Sequence, residues 1–263
     1  MPEGDTVFRT VARLRDALTG DLLTVSDFRV PRYATVDLTG LPVESVVARG
    51  KHILIRVPDF SIHSHLKMEG EWHVYEPGSR WRKPGFRARV VLSTARAQAV
   101  GFDLGIVEVL PRERESDAVG HLGPDLLGPD WDPARAEANL AQDPDRPIGT
   151  ALLDQRVMAG LGNVYRCELC FLRGVDPRTP VREAGDPARW VELAHRVINA
   201  NRERATRVTT GDLRRGRNLW VYGRRGRPCL RCGTPIEFGR LGTESDPDRV
   251  IYRCPACQPL HRS

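Results

Sequence analysis

"VESVVARGKHILIRV" (residues 43–57) decides the fold: two runs rich in Val, Ile and Leu, broken by a single glycine. β-Branched residues in short runs bounded by turn formers read as strands rather than as one helix. Upstream the period differs. Val7, Val11, Leu14 and Leu18 recur at steps of four, three and four, one face of a helix that Gly20 closes. Downstream, "SIHSHLKM" (61–68), "EWHVYE" (71–76) and "RARVVLST" (87–94) continue the strand pattern between Gly, Pro and Asp. A β-sandwich or barrel is therefore expected from about residue 20 to about residue 115, with the first helix packed on it.

The second half reads differently. "LGPDLLGPDWDP" (122–133) is dense in Gly, Pro and Asp and predicts a linker. Helical patterns follow in "PARAEANLAQ" (133–142), "PIGTALLDQ" (147–155), "VYRCELCFL" (164–172) and "PARWVELAHRVINANRERA" (187–205). The expected architecture is multidomain α+β. Its parts are an N-terminal β-sandwich domain over 1–127, a helical domain over 128–220 and a cysteine-bearing C-terminal module over 221–263.

That module holds two C-x-x-C pairs, Cys229/Cys232 and Cys254/Cys257. Two such turns supply four thiolates in the tetrahedral arrangement Zn²⁺ prefers, with no open position, so the predicted cofactor is one structural zinc ion. "TPIEF" and "RVIYR" flank a polar middle, which suggests a β-hairpin clamped at its base. A third pair, Cys167 and Cys170, lies three apart in a helical pattern with no second ligand pair nearby, and core packing is expected there.

Charge points to the partner. The chain of 263 residues is 40% hydrophobic and 28% charged, as soluble globular proteins are, with a net charge of +6 and a pI near 9.2. Ten arginines against Glu203 and Asp212 between residues 201 and 232 give a local excess of +8, interleaved with Trp220 and Tyr222. Arginine forks fit phosphate, and such a run beside a zinc hairpin predicts a nucleic-acid platform. "LLDQRVMAGLGNVY" (152–165) adds Gly160 and Gly162 ahead of a helix starting near Asn163, an end where phosphate binds readily. No apolar run reaches the ~18 residues of a membrane span, and no secretory leader is evident. The expected compartment is the cytoplasm, with nucleoid association in a bacterial cell.

"MPEGDT" (1–6) carries a chemical possibility. Proline suits a helix start, but with Met1 removed Pro2 is also a free secondary amine. A terminal amino group titrates near 8 against about 10.4 for lysine, so more of it is neutral and nucleophilic.

Together "MPEGDT", "RGKHILI" (49–55), "LLDQRVMAGLGNVY", "VYGRRGRPCLRCG" (221–233) and "RVIYRCPACQ" (249–258) resemble the Fpg/Nei family of DNA glycosylases, in the family's order and across nearly the whole chain. The resemblance implies a β-sandwich, a helix–two-turn–helix domain and a zinc finger acting on damaged double-stranded DNA as a monomer. It makes Pro2 the nucleophile and Glu3 the neighbouring acid. Lys51 becomes a phosphate contact and proton donor, Asn163 a phosphate ligand, and Arg249 the hairpin arginine near the lesion. "HSHLKMEGEW" (63–72) resembles the loop that fills the hole left by a flipped nucleotide, with Lys67, Met68 and Glu69 at its tip and Met68 as the wedge.

Purine-specific members usually carry an Asp-x-Arg-x-Phe-Gly segment and a proline where Asp5 stands, whereas this chain has "GFDLGIVEV" (101–109). Both departures point to the Nei branch, to oxidised pyrimidines and to strand cleavage by β- or β,δ-elimination. The alternatives are a purine-preferring (8-oxoguanine) glycosylase of the same family, or a non-catalytic zinc-containing DNA-binding protein, with an RNA-binding zinc protein as a third reading.

Overall fold

A computed structural model describes residues 2–241 and 250–260. The chain divides into two compact units, 1–121 and 122–263.

In the first unit, helix α1 (Gly4–Leu18) precedes eight strands: β1 (Val25–Phe28), β2 (Ser45–Arg49), β3 (His52–Arg56), β4 (Phe60–His65), β5 (Glu71–Tyr75), β6 (Ala88–Ser93), β7 (Gln98–Phe102) and β8 (Ile106–Pro111). They form two antiparallel sheets, ordered β1-β6-β7-β5 and β2-β3-β4-β8. The expected sandwich is present. Val46, Ile53, Ile55 and Ile62 of one sheet share a core with Trp72, Val90, Leu92 and Ala99 of the other. Helix α1 packs against β2, β5 and β7, and Val7, Val11, Leu14 and Leu18 are buried in that core, each stabilising the fold by about 2 kcal/mol. The helix stops where Gly20 turns with φ of 88°.

The 43–57 stretch is a hairpin whose register pairs Arg49 with His52, leaving Gly50 and Lys51 as its two-residue turn. Gly50 has φ of 59° and Lys51 is not among the residues of positive φ, the pattern of a II′ turn. The short helix α2 (Glu115–Val119) closes the unit, Glu115 binding Arg56 through both carboxylate oxygens (2.8 and 2.7 Å).

In the second unit α3 (Pro133–Ala141), α4 (Ile148–Ala151), α5 (Asn163–Arg173) and α6 (Pro187–Asn199) precede the hairpin β9 (Glu237–Arg240) and β10 (Val250–Arg253). The 122–133 stretch is not a free linker. Leu122 and Leu126 are buried, Asp125 bridges to Ala159, and the Asn199 amide donates to the Leu126 carbonyl (3.3 Å). The last helix also ends before residue 205, because the Asn201 side chain donates to the Val197 and Val208 carbonyls and accepts from the Val208 N–H (2.7 Å), which turns the chain.

One carboxylate ties the segment leading into the cysteine module to α5. Glu168 is fully buried and accepts the backbone N–H groups of Trp220 (2.7 Å), Val221 (2.9 Å) and Tyr222 (2.9 Å), together with the Thr209 hydroxyl. Burial pushes its carboxyl up, while these donors oppose the shift. Glu168→Gln turns an acceptor-only group into one that presents N–H to N–H. It is expected to destabilise the second unit by about 3 kcal/mol. Thermal unfolding with an unchanged midpoint would refute that role.

Candidate active site and nucleic-acid contacts

Pro2 and Glu3 stand at the head of α1. Pro2 is half-buried, whereas Glu3 is fully buried and takes the N-cap position. Its backbone carbonyl accepts from Thr6 and Val7 (2.9 and 3.0 Å), but its side chain does not cap the helix. Capping passes to the buried Asp5, whose carboxylate accepts from the Thr6 N–H (2.7 Å) and lies favourably in the first turn. Asp5 thus has a local structural task.

Lys51 is half-buried at its hairpin turn, beside a feature the sequence reading missed. On the outer face of β3, β4 and β8, Glu108 Oε2 meets His63 Nδ1 (2.8 Å) and His63 Nε2 meets His52 Nδ1 (2.8 Å). A carboxylate only accepts, so the His63 Nδ1–H is the donor to Glu108, and the His63–His52 hydrogen bond continues the chain to the Lys51 turn. His65 lies edge-on to His52 (centroids 4.9 Å apart), and its Nδ1 accepts the Lys67 N–H (2.9 Å), which places its own proton on Nε2. Burial first, then His65, His63, His121 and Lys67, push His52 down to about 3; burial, Lys67, Lys51 and His63 push His65 down to about 4. Alternation on β3 and β4 gave the signal: Ile53, Ile55 and Ile62 face the core, and His52, His63 and His65 recur on the other face.

Lys67 and Met68 occupy the β4–β5 turn. Lys67 has φ of 53°, the Gly70 N–H closes on the Leu66 carbonyl (2.8 Å), and a Cβ on Gly70 would collide with that carbonyl. Met68 is 65% exposed at the tip of this turn.

In the second unit Gln155 knits the turn ahead of α5. Its amide donates to the Leu153 and Leu161 carbonyls (2.8 and 2.9 Å), and its Oε1 accepts from the Gly160 N–H (3.1 Å). Asn163, 9% exposed in the first turn of α5, donates to the Val250 carbonyl (2.9 Å). Arg166, fully buried and not anticipated, donates to Asn163 Oδ1 and to the same Val250 carbonyl (2.7 Å). Helix start and hairpin are thereby joined one residue beyond Arg249, which itself lies outside the described residues.

Much of the arginine run is engaged within the protein. Arg231 lies over Phe171 and Trp220 (4.4 and 5.4 Å), Arg207 over Tyr165 (4.8 Å) and Arg225 over Phe238 (5.0 Å). Asp212 pairs with Arg214 and Arg217, and Arg224 is buried.

The ligand atoms of Cys229, Cys232, Cys254 and Cys257 lie within 4.8 Å of one another. Backbone N–H groups of Arg231 and Cys257 point at the sulfurs of Cys229 and Cys254 (3.4 Å each), stabilising thiolates. An all-sulfur tetrahedral donor set fits zinc. Cys170 is buried in the apolar core of the second unit, and Cys167 packs in the small core that also holds Cys229 and Cys254 without joining the four clustered ligands; burial pushes the Cys167 thiol up to about 11, as expected of a core residue.

The histidines set a pH dependence. Folded His52 resists protonation down to about pH 3, whereas the unfolded side chain takes a proton near 6.5. The unfolded state binds more protons between those values, so stability falls as pH drops through that window and is unaffected above it. The loss at pH 5 is expected to be about 1 kcal/mol for His52, allowing for its partial exposure. The fall in melting temperature from pH 7.5 to pH 5 should be smaller in His52→Gln; equal falls would contradict the assignment.

Residues 1–103 match the formamidopyrimidine-DNA glycosylase N-terminal domain and residues 122–214 the formamidopyrimidine-DNA glycosylase H2TH domain. The chain is 57% identical to the DNA-(apurinic or apyrimidinic site) lyase Nei2 of Mycolicibacterium smegmatis over 98% of its own length and 99% of that protein's. It is 56% identical to the probable endonuclease 8 2 of Streptomyces coelicolor, over 98% and 94% of the two chains. The fold matches the crystal structure of Lactococcus lactis formamidopyrimidine-DNA glycosylase, non-covalently bound to DNA containing an AP site, with a TM-score of 0.81 at 22% identity, covering 98% and 100% of the chains. Two matched domains in the expected order, with identity above one half to endonuclease 8-type proteins, place the chain in the Fpg/Nei family, on its Nei (endonuclease 8) branch.

Proposed function

We propose that the protein is a bifunctional DNA glycosylase and AP lyase of base excision repair, acting on oxidised pyrimidines in duplex DNA. The observation that carries this reading is the pair at the head of α1: Pro2, and a fully buried Glu3 whose side chain is not spent on capping its helix. Once Met1 is removed, the Pro2 nitrogen attacks C1′ of the damaged nucleotide. The bond from C1′ to the base breaks, the base leaves protonated, and the sugar opens to an iminium on Pro2. Glu3 is the acid that protonates the ring oxygen. The iminium acidifies the C2′ hydrogen. Its removal expels the 3′ phosphate in β-elimination, and a second elimination expels the 5′ phosphate.

Lys51 supplies a phosphate contact and a proton, and Lys67 and Met68 hold the gap left by the flipped nucleotide. Asn163 and Arg249 act at the phosphates beside the lesion. Bound at the four cysteines, one zinc ion would supply structural cross-linking and no open position for chemistry. The protein acts as a monomer in the cytoplasm, at the nucleoid in a bacterial cell.

Blocking the terminal amine by retaining Met1 is expected to abolish borohydride trapping on an abasic duplex, a loss of more than about 100-fold, while the duplex still binds. Trapping that survives would move the nucleophile elsewhere. Cys254→Ala should release the metal, read by elemental analysis, and weaken duplex binding at least about tenfold; unchanged affinity would separate the zinc module from DNA binding.

A further inference from the structure

Three connections meet at one end of the β1-β6-β7-β5 sheet. The register pairs Glu71 at the start of β5 with Phe102 at the end of β7, and Phe102 with Ala88 at the start of β6. The Met68 turn, the Asp103–Gly105 turn and the end of the β5–β6 loop therefore emerge side by side. Strand spacing sets the β5 and β6 sides about 10 Å apart.

The β5–β6 loop is anchored along β7, from Gln98 at its start to Phe102 and Asp103 at its end. Trp81 turns inward against Phe102 (centroids 5.8 Å apart), and its indole N–H donates to Gln98 Oε1 (2.6 Å). The Arg87 guanidinium grips Asp103 through Nε and Nη2 (2.9 and 2.8 Å), and the Arg87 carbonyl accepts the Asp103 N–H (3.0 Å). Between these anchors Phe86 faces solvent at 86% exposure, more than any other large hydrophobic residue described. It borders a groove of about 450 Å³ shared with Arg87, Arg89, Asp103, Leu104 and Gly105. Gly105 is also where the Lys67 stem lies, since a Cβ there would collide with it, so the groove runs up to the Met68 turn.

An exposed aromatic on a fixed turn, beside Arg89 and the Arg87–Asp103 pair and one strand beyond an exposed methionine, is suited to enter a polyanion with stacked apolar surfaces. The Asp103–Gly105 turn cannot do this itself: Asp103 is held by Arg87 and Lys83, Leu104 is buried, and Gly105 has no side chain.

We propose that Phe86 is a second DNA wedge, stacking on the strand opposite the lesion while Met68 enters the lesion strand. The inference rests on the glycosylase reading and adds a specificity residue to it. The test compares native protein with Phe86→Ala and Phe86→Trp, all verified as folded by thermal unfolding. One readout is the fluorescence of 2-aminopurine placed opposite a non-cleavable abasic analogue in a duplex, which requires binding but no chemistry. The other is single-turnover cleavage at an abasic site, in duplex and in single-stranded oligonucleotide.

Phe86→Ala should lose the fluorescence change given by native protein and lose duplex cleavage about tenfold more than single-strand cleavage, with Phe86→Trp restoring both. An alanine variant matching native protein in fluorescence and in the duplex-to-single-strand ratio overturns the proposal. If native protein gives no borohydride adduct, the glycosylase reading fails, and the fluorescence readout still decides whether Phe86 enters DNA.

Discussion

Three consecutive peptide N–H groups converge on one buried carboxylate, and much of the second unit follows from that. Trp220, Val221 and Tyr222 give their backbone donors to Glu168 on α5. The chain must therefore enter the cysteine module against that helix, nine residues before Cys229 taking Trp220 as the start. Val221, Cys229, Ile236 and Cys254 then share a small core with Cys167 and Phe171 of the same helix. At the far end of the module the Gln258 side chain binds the Cys254 N–H and the Val175 carbonyl (2.9 Å each). A cysteine hairpin too small to supply its own core is thus stabilised by a helix it must also be oriented against. A charge there would be costly if any donor were missing, and the same stringency fixes one arrangement.

The first unit meets a different constraint. Its sandwich buries a largely apolar core between the sheets, with Ser64 the β4 exception whose hydroxyl accepts the Trp72 indole N–H (3.1 Å), and the outer face of β2-β3-β4-β8 carries the ionisable groups. These are linked to one another: Arg56 with Glu115, Glu108 with His63, and His63 with His52. Because His63 is 2% exposed, its hydrogen bonds to Glu108 and His52 replace solvent. A face of this kind can hold the Lys51 turn in place without presenting extra positive charge, since His52 and His65 stay neutral at physiological pH.

The parts of this structure that were legible in the sequence are those governed by period and spacing. The α1 face, the 43–57 hairpin, the sandwich and the four convergent cysteines follow from residue order alone, because each depends on local alternation or a fixed ligand interval. The 122–133 stretch was misleading. Gly, Pro and Asp report turns truthfully, but whether Leu122 and Leu126 find a core depends on distant partners. Likewise Glu168, Arg166 and the Glu108–His63–His52 chain join residues that are far apart in sequence, and no interval marks them. Phe86 was invisible for the opposite reason: exposure is a property of the folded loop, in which Trp81 turns inward and Phe86 outward.

The arginine run illustrates how far composition can be taken. A local excess of +8 points to a polyanion, yet many of these side chains are engaged within the protein. Arg207, Arg225 and Arg231 cover aromatic rings, Arg214 and Arg217 are drawn to Asp212, and Arg224 is buried with its guanidinium on the Gly216 and Pro228 carbonyls. Stacking leaves a guanidinium edge able to reach a phosphate, whereas burial and ion pairing consume it. The number of phosphates neutralised should accordingly fall below the number of arginines. On a plot of log affinity against log salt, replacing Arg214 and Arg217 by alanine should leave the slope for duplex binding unchanged, whereas Arg231→Ala should lower it by about one. A slope lowered by the Arg214 and Arg217 replacements would mean that the Asp212 pairs break on binding, and that the segment is remodelled by DNA rather than preformed for it.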